Sequence, residues 1–87
     1  MITKETVIQN ELGLHARSAA KIAELAALAR GGVWLAKGEE RAAASSIIDL
    51  IALECPHGTT IEVIIESPID RDVLDAIVAL IDKGFGE

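Results

Sequence analysis

The sequence predicts a two-layer α+β domain, and three observations lead to it. Hydrophobic spacing switches repeatedly between a period near two and a period near 3.6. The breaks between those stretches are short and rich in glycine, proline or serine, as connections in a compact domain are. A chain of 87 residues, 51% of them hydrophobic, has room for one core and no second domain, so residues 1–87 form a single unit. Trp34 and Phe85 are the only aromatic residues, so that core is built mainly from Ala, Ile, Leu and Val.

Residues 2–9 alternate loosely, with Ile2, Thr6 and Ile8 on one side and Thr3, Glu5 and Val7 on the other, which predicts a strand. Asn10-Glu11-Leu12-Gly13 breaks it. Over residues 16–30 the spacing becomes helical: Ala19, Ile22, Ala26 and Ala29 lie along one stripe and Leu25 and Leu28 widen it, with Gly31-Gly32 as the expected left-handed stop. Residues 33–36 read as a strand, 37–39 as a tight turn and 40–43 as the return strand of a hairpin. Ser45-Ser46 opens a short helix through Leu53, and Ser46 with Asp49 has the spacing of a capping box. After the loop Pro56-His57-Gly58, residues 60–66 are strongly β-branched, with Ile61, Val63 and Ile65 facing one way and Ile64 the other. Ser67-Pro68 begins a last helix that buries Val73, Ile77, Leu80 and Ile81 and ends at Gly84. The order is β-α-β-β-α-β-α. With helices on one side of the sheet only, Val33 and Leu35 are expected beneath them and Trp34 on the open side, as a partner contact or a solitary surface residue.

Fourteen acidic against eight basic side chains, a net charge of −6, disfavour non-specific nucleic-acid binding, and base-stacking aromatics are lacking. A single cysteine, Cys55, makes no internal disulfide, and no apolar run is long enough to cross a bilayer. These features point to a cytoplasmic, non-inserting protein whose partners are other proteins; a monomer is expected, although no feature of the sequence fixes the oligomeric state.

Gly13-Leu14-His15-Ala16-Arg17 sets a histidine where a glycine loop meets a helix N-terminus. The first helical turn has amides without intrahelical acceptors and carries the positive end of the helix dipole, so an anion held there is stabilised. Arg17 adds fork-shaped cationic donors suited to phosphate oxygens, and a neutral ring nitrogen of His15 is a competent nucleophile. On these residues alone, a histidine that merely caps the helix explains the pattern as well. A zinc site would need more than Cys55 and His57, and neither Ser18 nor Cys55 has an evident base, so no metal is expected.

Asn10-Glu11-Leu12-Gly13-Leu14-His15-Ala16-Arg17, followed by Ala19-Ala20, resembles the active-site segment of the HPr family, the phosphocarriers of the phosphoenolpyruvate-dependent phosphotransferase system. A second stretch, Ser46-Ile47-Ile48 with Leu50, Ile51 and Leu53, resembles the family's regulatory-serine helix. The resemblance covers nearly the whole chain. It implies an open-faced β-sandwich, a four-stranded antiparallel sheet in the order 1-4-2-3 with three helices on one face. It also implies a carrier, not a turnover enzyme, that binds no cofactor. His15 would take a phosphoryl group on Nδ1 from Enzyme I and pass it to an Enzyme IIA domain, with Arg17 supporting the phosphate. The amides of Ala16, Arg17 and Ser18 would bind the phosphoryl oxygens, and Leu14, Ile47, Ile48 and Ile51 would form the partner patch. Ser46 would be the substrate of an HPr kinase, and an alternative role for such a chain is a regulatory adaptor modulated at Ser46. The wording of residues 10–14 leans toward the nitrogen-related branch over sugar transport.

The chain departs from the family at three places. Ser18 stands where proline is usual after the arginine, bringing an N–H and a hydroxyl toward the expected phosphate. Asp49 and Glu54 are acidic where relatives commonly have a small or basic residue and a glycine, which bears on kinase and Enzyme I recognition.

Overall fold

In the computed structural model, which describes Met1–Glu87, the chain runs through β1 (Ile2–Val7), α1 (Ala16–Ala26), β2 (Val33–Lys37), β3 (Glu40–Ala43), α2 (Ile47–Ala52), β4 (Thr60–Ile65) and α3 (Arg71–Asp82). Short 3-10 turns at Pro68–Asp70 and Gly84–Gly86 flank α3. The strands form one antiparallel sheet in the order β1-β4-β2-β3. Helices α1, α2 and α3 cover one face, giving the open-faced sandwich that the sequence resemblance implied.

The β-branched run of β4 suits a strand paired on both edges. Ile61, Val63 and Ile65 enter the core under the helices, while Ile64 lies on the open face between its cross-strand neighbours Thr3 and Trp34. Trp34 stays outside the core as expected: its Nε1 donates to Glu66 Oε2 at 2.8 Å, and the Arg41 guanidinium lies 5.7 Å from its ring centroid. The hairpin turn is shorter than the sequence reading had it. Lys37 pairs with Glu40, so Lys37 ends β2 and only Gly38-Glu39 turn, with Gly38 at φ +60°.

The helix stripes meet the sheet as predicted for Ala19, Ile22 and Ala26 of α1 and for Ile77 and Ile81 of α3. Ser67 Oγ caps the Pro68–Asp70 turn by accepting from the Ile69 amide, so the chain enters α3 through a tighter turn than proline at a helix start implies. On α2 only half of the expected capping box forms. Ser46 Oγ accepts the Asp49 N–H at 3.2 Å, but the Ser46 N–H donates to Ala43 O and not to Asp49.

Helix α1 ends at Ala26, four residues before the predicted end at Arg30, and neither Gly31 nor Gly32 has the left-handed backbone expected of a stop. The reason lies elsewhere in the chain. Asp70, buried at the start of α3, accepts the amides of Arg30 at 2.9 Å and Gly31 at 2.8 Å, pulling the segment away from the helix axis toward β2. Leu28 is thereby left 73% exposed instead of widening the buried stripe. A Cβ at Gly32 would displace the exposed Glu66 carboxylate from its bond to Trp34.

The amides of Arg30 and then Gly31, helped by the Arg30 charge and opposed by burial, hold the Asp70 carboxyl below its ordinary range. A carboxyl depressed in the folded state contributes stability that is present above its unfolded pKa of ~3.9 and is lost as pH falls through the folded value. Asp70→Asn is therefore expected to lower the urea midpoint at neutral pH. The difference from wild type should shrink as pH falls below ~3.9, and urea titrations at several pH values check this.

Candidate functional site

The loop between β1 and α1 is shaped by a close backbone approach. Gly13 has φ +69°, and a Cβ on it would lie 2.5 Å from the Cys55 carbonyl oxygen. Without one, the Leu14 amide donates to that carbonyl at 2.8 Å. Asn10 closes the loop from within: its Nδ2 donates to Gly13 O at 2.7 Å. Cys55 serves through its main chain, because its side chain is buried in the core and burial pushes the thiol pKa up.

His15 is the N-cap of α1, with extended backbone at φ −131° and ψ −174°. Its Nδ1 accepts the Arg17 N–H at 3.4 Å, and Ser18 Oγ returns the exchange by accepting the His15 N–H at 2.9 Å. The reciprocal capping arrangement is thus at His15 and Ser18, not at Ser46 and Asp49. Ser18 is fully buried, and its hydroxyl is within reach of Gly13 O at 3.1 Å. This corrects the expectation that the Ser18 hydroxyl faces the phosphate; it is turned inward to hold the loop. The Ala16 amide has no intrahelical acceptor, the Arg17 and Ser18 amides turn to the His15 side chain in the capping exchange, and no acidic side chain lies in the first turn of α1.

A shallow cleft on this end of the molecule is lined by Leu12, His15, Ala16, Arg17, Lys21 and Glu87. Glu87 was missed by sequence reasoning, which has no local signal for a residue 72 positions from His15. Its carboxylate meets His15 Nε2 at 2.7 Å through Oε2 and accepts from Asn10 Nδ2 at 2.9 Å through Oε1. The Asn10 amide, and after it the His15 ring, keep the Glu87 carboxyl below the ordinary glutamate range against the opposing effect of burial. Lys21 Nζ, donating to Phe85 O at 2.6 Å, ties the same segment to α1. Phe85 anchors it in the core despite φ +61°. Burying a phenyl ring is worth ~1.5–3 kcal/mol, which covers the ~1–2 kcal/mol that a left-handed non-glycine residue costs.

Leu12 on the cleft and Ile47, Ile48 and Ile51 of α2 are exposed, Ile48 to 78%. Leu14 belongs to the core and is only 7% exposed, because the hydrogen bond its N–H donates to Cys55 O turns its side chain inward. Leu12, which is 72% exposed, takes the surface place expected of Leu14. It lines both the His15 cleft and a neighbouring groove with Ile51 and Pro56, so the apolar patch is continuous with the histidine.

Known proteins resemble this chain in sequence and in fold. The family model described as "PTS HPr component phosphorylation site" matches residues 2–83. The chain belongs to the HPr family. Phosphocarrier protein NPr of Shewanella violacea is 38% identical over 86 residues, covering 99% of this chain and 94% of the relative. Phosphocarrier protein HPr of Cupriavidus necator is 34% identical over 87 residues, covering 100% of this chain and 98% of the relative. In three dimensions the chain resembles HPr of Thermoanaerobacter tengcongensis, with a TM-score of 0.92 at 30% identity over 100% of this chain and 98% of that one. As an HPr-family member it is a phosphocarrier of the phosphotransferase system, and its partners are proteins of that system.

Within this HPr-family site Ser18 is the buried link between the loop and the helix. Removing its hydroxyl leaves the His15 amide and the Gly13 carbonyl with one partner fewer. Ser18→Ala is expected to lower stability by ~1–2 kcal/mol, read as a shift of the denaturant midpoint at unchanged slope.

Proposed function

We propose that His15 Nδ1 accepts a phosphoryl group from Enzyme I, itself charged by phosphoenolpyruvate, and donates it to an Enzyme IIA domain in the cytoplasm, in sugar transport or in nitrogen-related regulation. The observation that carries this reading is the position of His15: it caps α1 with Nδ1 turned to the first-turn amides and Arg17, at the rim of an exposed apolar patch. A phosphoryl group on Nδ1 would replace a bond of 3.4 Å, already long for N–H···N, with phosphate oxygens that the amides of Ala16, Arg17 and Ser18 can reach. Arg17 is exposed, so its guanidinium is free to follow the phosphate into either partner's site. The cleft is open, and neither partner meets a lid.

Leu12, Ile47, Ile48 and Ile51 form the docking patch in this reading. A surface of that size suits brief encounters, which a carrier serving a donor and an acceptor through the same histidine requires. Ser46 sits at the edge of the patch as the cap of α2, where a kinase can reach it. Phosphate on Ser46 would put charge among the docking isoleucines and beside Asp49, weakening both encounters.

Incubation with Enzyme I and labelled phosphoenolpyruvate is expected to give an acid-labile, alkali-stable label. The label should be absent from His15→Ala and be discharged by an Enzyme IIA domain; an unlabelled wild type beside an active cognate Enzyme I would overturn the reading. Offering IIA domains of both branches identifies the recipient. Ile48→Asp, at a position that contributes little to the core, is expected to slow labelling about tenfold or more, equivalent to ~1.4 kcal/mol of docking energy, while leaving the thermal midpoint unchanged.

A further inference from the structure

We infer that Glu87 is a positioning residue that selects the tautomer of His15, leaving Nδ1 as the unprotonated ring nitrogen. The inference rests on the phosphocarrier reading and adds a residue to it. A neutral imidazole carries its proton on one nitrogen, and which one is decided by the partner of the other. Here both nitrogens have partners of opposite demand. Arg17 N–H is a donor and meets Nδ1, so Nδ1 presents its lone pair. The Glu87 carboxylate is an acceptor and meets Nε2 at 2.7 Å, so Nε2 carries the proton. The shorter and charge-assisted of the two contacts is the one to Glu87, and it dominates the choice.

Glu87 is held for this task from three sides. Asn10 Nδ2 donates to its other oxygen at 2.9 Å, Lys21 fixes the Phe85 carbonyl, and the Phe85 ring is in the core. The loop before α1 and the segment after α3 thus converge on one ring. In the transfer step the Nδ1 lone pair attacks phosphorus, the N–P bond forms, and the bond from phosphorus to the donor's leaving atom breaks with its electron pair leaving on the donor. Nε2 keeps its proton throughout. The His15 ring gains positive charge as Nδ1 becomes substituted, and the Glu87 carboxylate faces that charge. Arg17 and Lys21, on the same cleft, counter the repulsion between Glu87 and an incoming phosphate.

The isosteric variant Glu87→Gln separates this role from a structural one. Asn10 Nδ2, already donating to Gly13 O, requires an acceptor, so the new amide turns its oxygen to Asn10 and its NH2 to Nε2. That NH2 demands a lone pair at Nε2 and drives the proton to Nδ1. Long-range 1H–15N correlation spectra of the neutral ring are expected to show protonated Nε2 in the wild type, a mixture in Glu87→Ala, and mainly protonated Nδ1 in Glu87→Gln. Labelling by Enzyme I is expected to slow in the same order, by about tenfold or more in Glu87→Gln, the cost of losing a charge-assisted hydrogen bond. Retention of either protonated Nε2 or the wild-type rate in Glu87→Gln would overturn the inference. A wild type that takes no label would instead overturn the carrier reading, and the spectra of the unphosphorylated ring distinguish the two failures.

Discussion

The position of the His15 ring depends on one contact between backbones, Gly13 against the Cys55–Pro56 peptide. No side chain fits there, and only glycine takes the left-handed backbone of Gly13 without penalty. That approach lets the Leu14 amide reach Cys55 O, which ends the loop in extended conformation and makes His15 the residue at which the helix begins. A histidine one turn further along would project from the flank of α1, where amides are consumed by intrahelical bonds and the dipole has faded. The surroundings of His15 therefore follow from where the helix starts, and the helix start follows from a missing methyl group.

The sheet order supplies the second half of the site. Because β1 is an edge strand packed beneath α3, the end of α3 returns to the end of β1, and Thr6 Oγ1 donates to Asp82 Oδ1 at 2.5 Å. Two glycines with positive φ, Gly84 and Gly86, then bend the chain past Asn10, and Phe85 between them anchors it. A protein with a net charge of −6 thereby assembles a small cleft in which Arg17 and Lys21 accompany a single carboxylate. The carboxylate faces Nε2 and the Arg17 amide faces Nδ1, so the two sides of the ring have opposite electrostatic surroundings.

Elements whose residues answer to their neighbours in sequence were legible in advance. The alternation of β4, the hairpin and the stripe of α3 report one buried face each, and periodicity reads that directly. His15 and Arg17 were legible for the same reason, since a helix start and its first-turn cation lie within three residues. What escaped was set by distant partners. The helical spacing of α1 continues to Ala29, but Asp70 captures the amides of Arg30 and Gly31 and ends the helix early. Leu14 and Leu12 look alike as apolar loop residues, and only the bond to Cys55 decides which one turns inward. The Ser46 capping pair has the favoured residue types, yet the complete exchange occurs at His15 and Ser18, a pair that residue preferences do not single out.

Ser18 shows how the departure from the family pattern is compatible with the site. Proline at that position would stiffen the first turn through its ring and would lack the amide. Serine reaches rigidity by another route, since its hydroxyl, buried and bonded to the His15 amide, fixes the cap from below while its own amide completes the capping exchange with the His15 side chain. The exchange trades a covalent constraint for a hydrogen-bonded one that depends on Gly13 O being in place, and Asn10 Nδ2 holds that carbonyl. Asn10 also holds Glu87, so the residue that steadies the serine cap steadies the carboxylate on the far side of the ring. The two supports of His15 thus share Asn10 as a common fixture, and a disturbance there reaches both nitrogens of the imidazole at once.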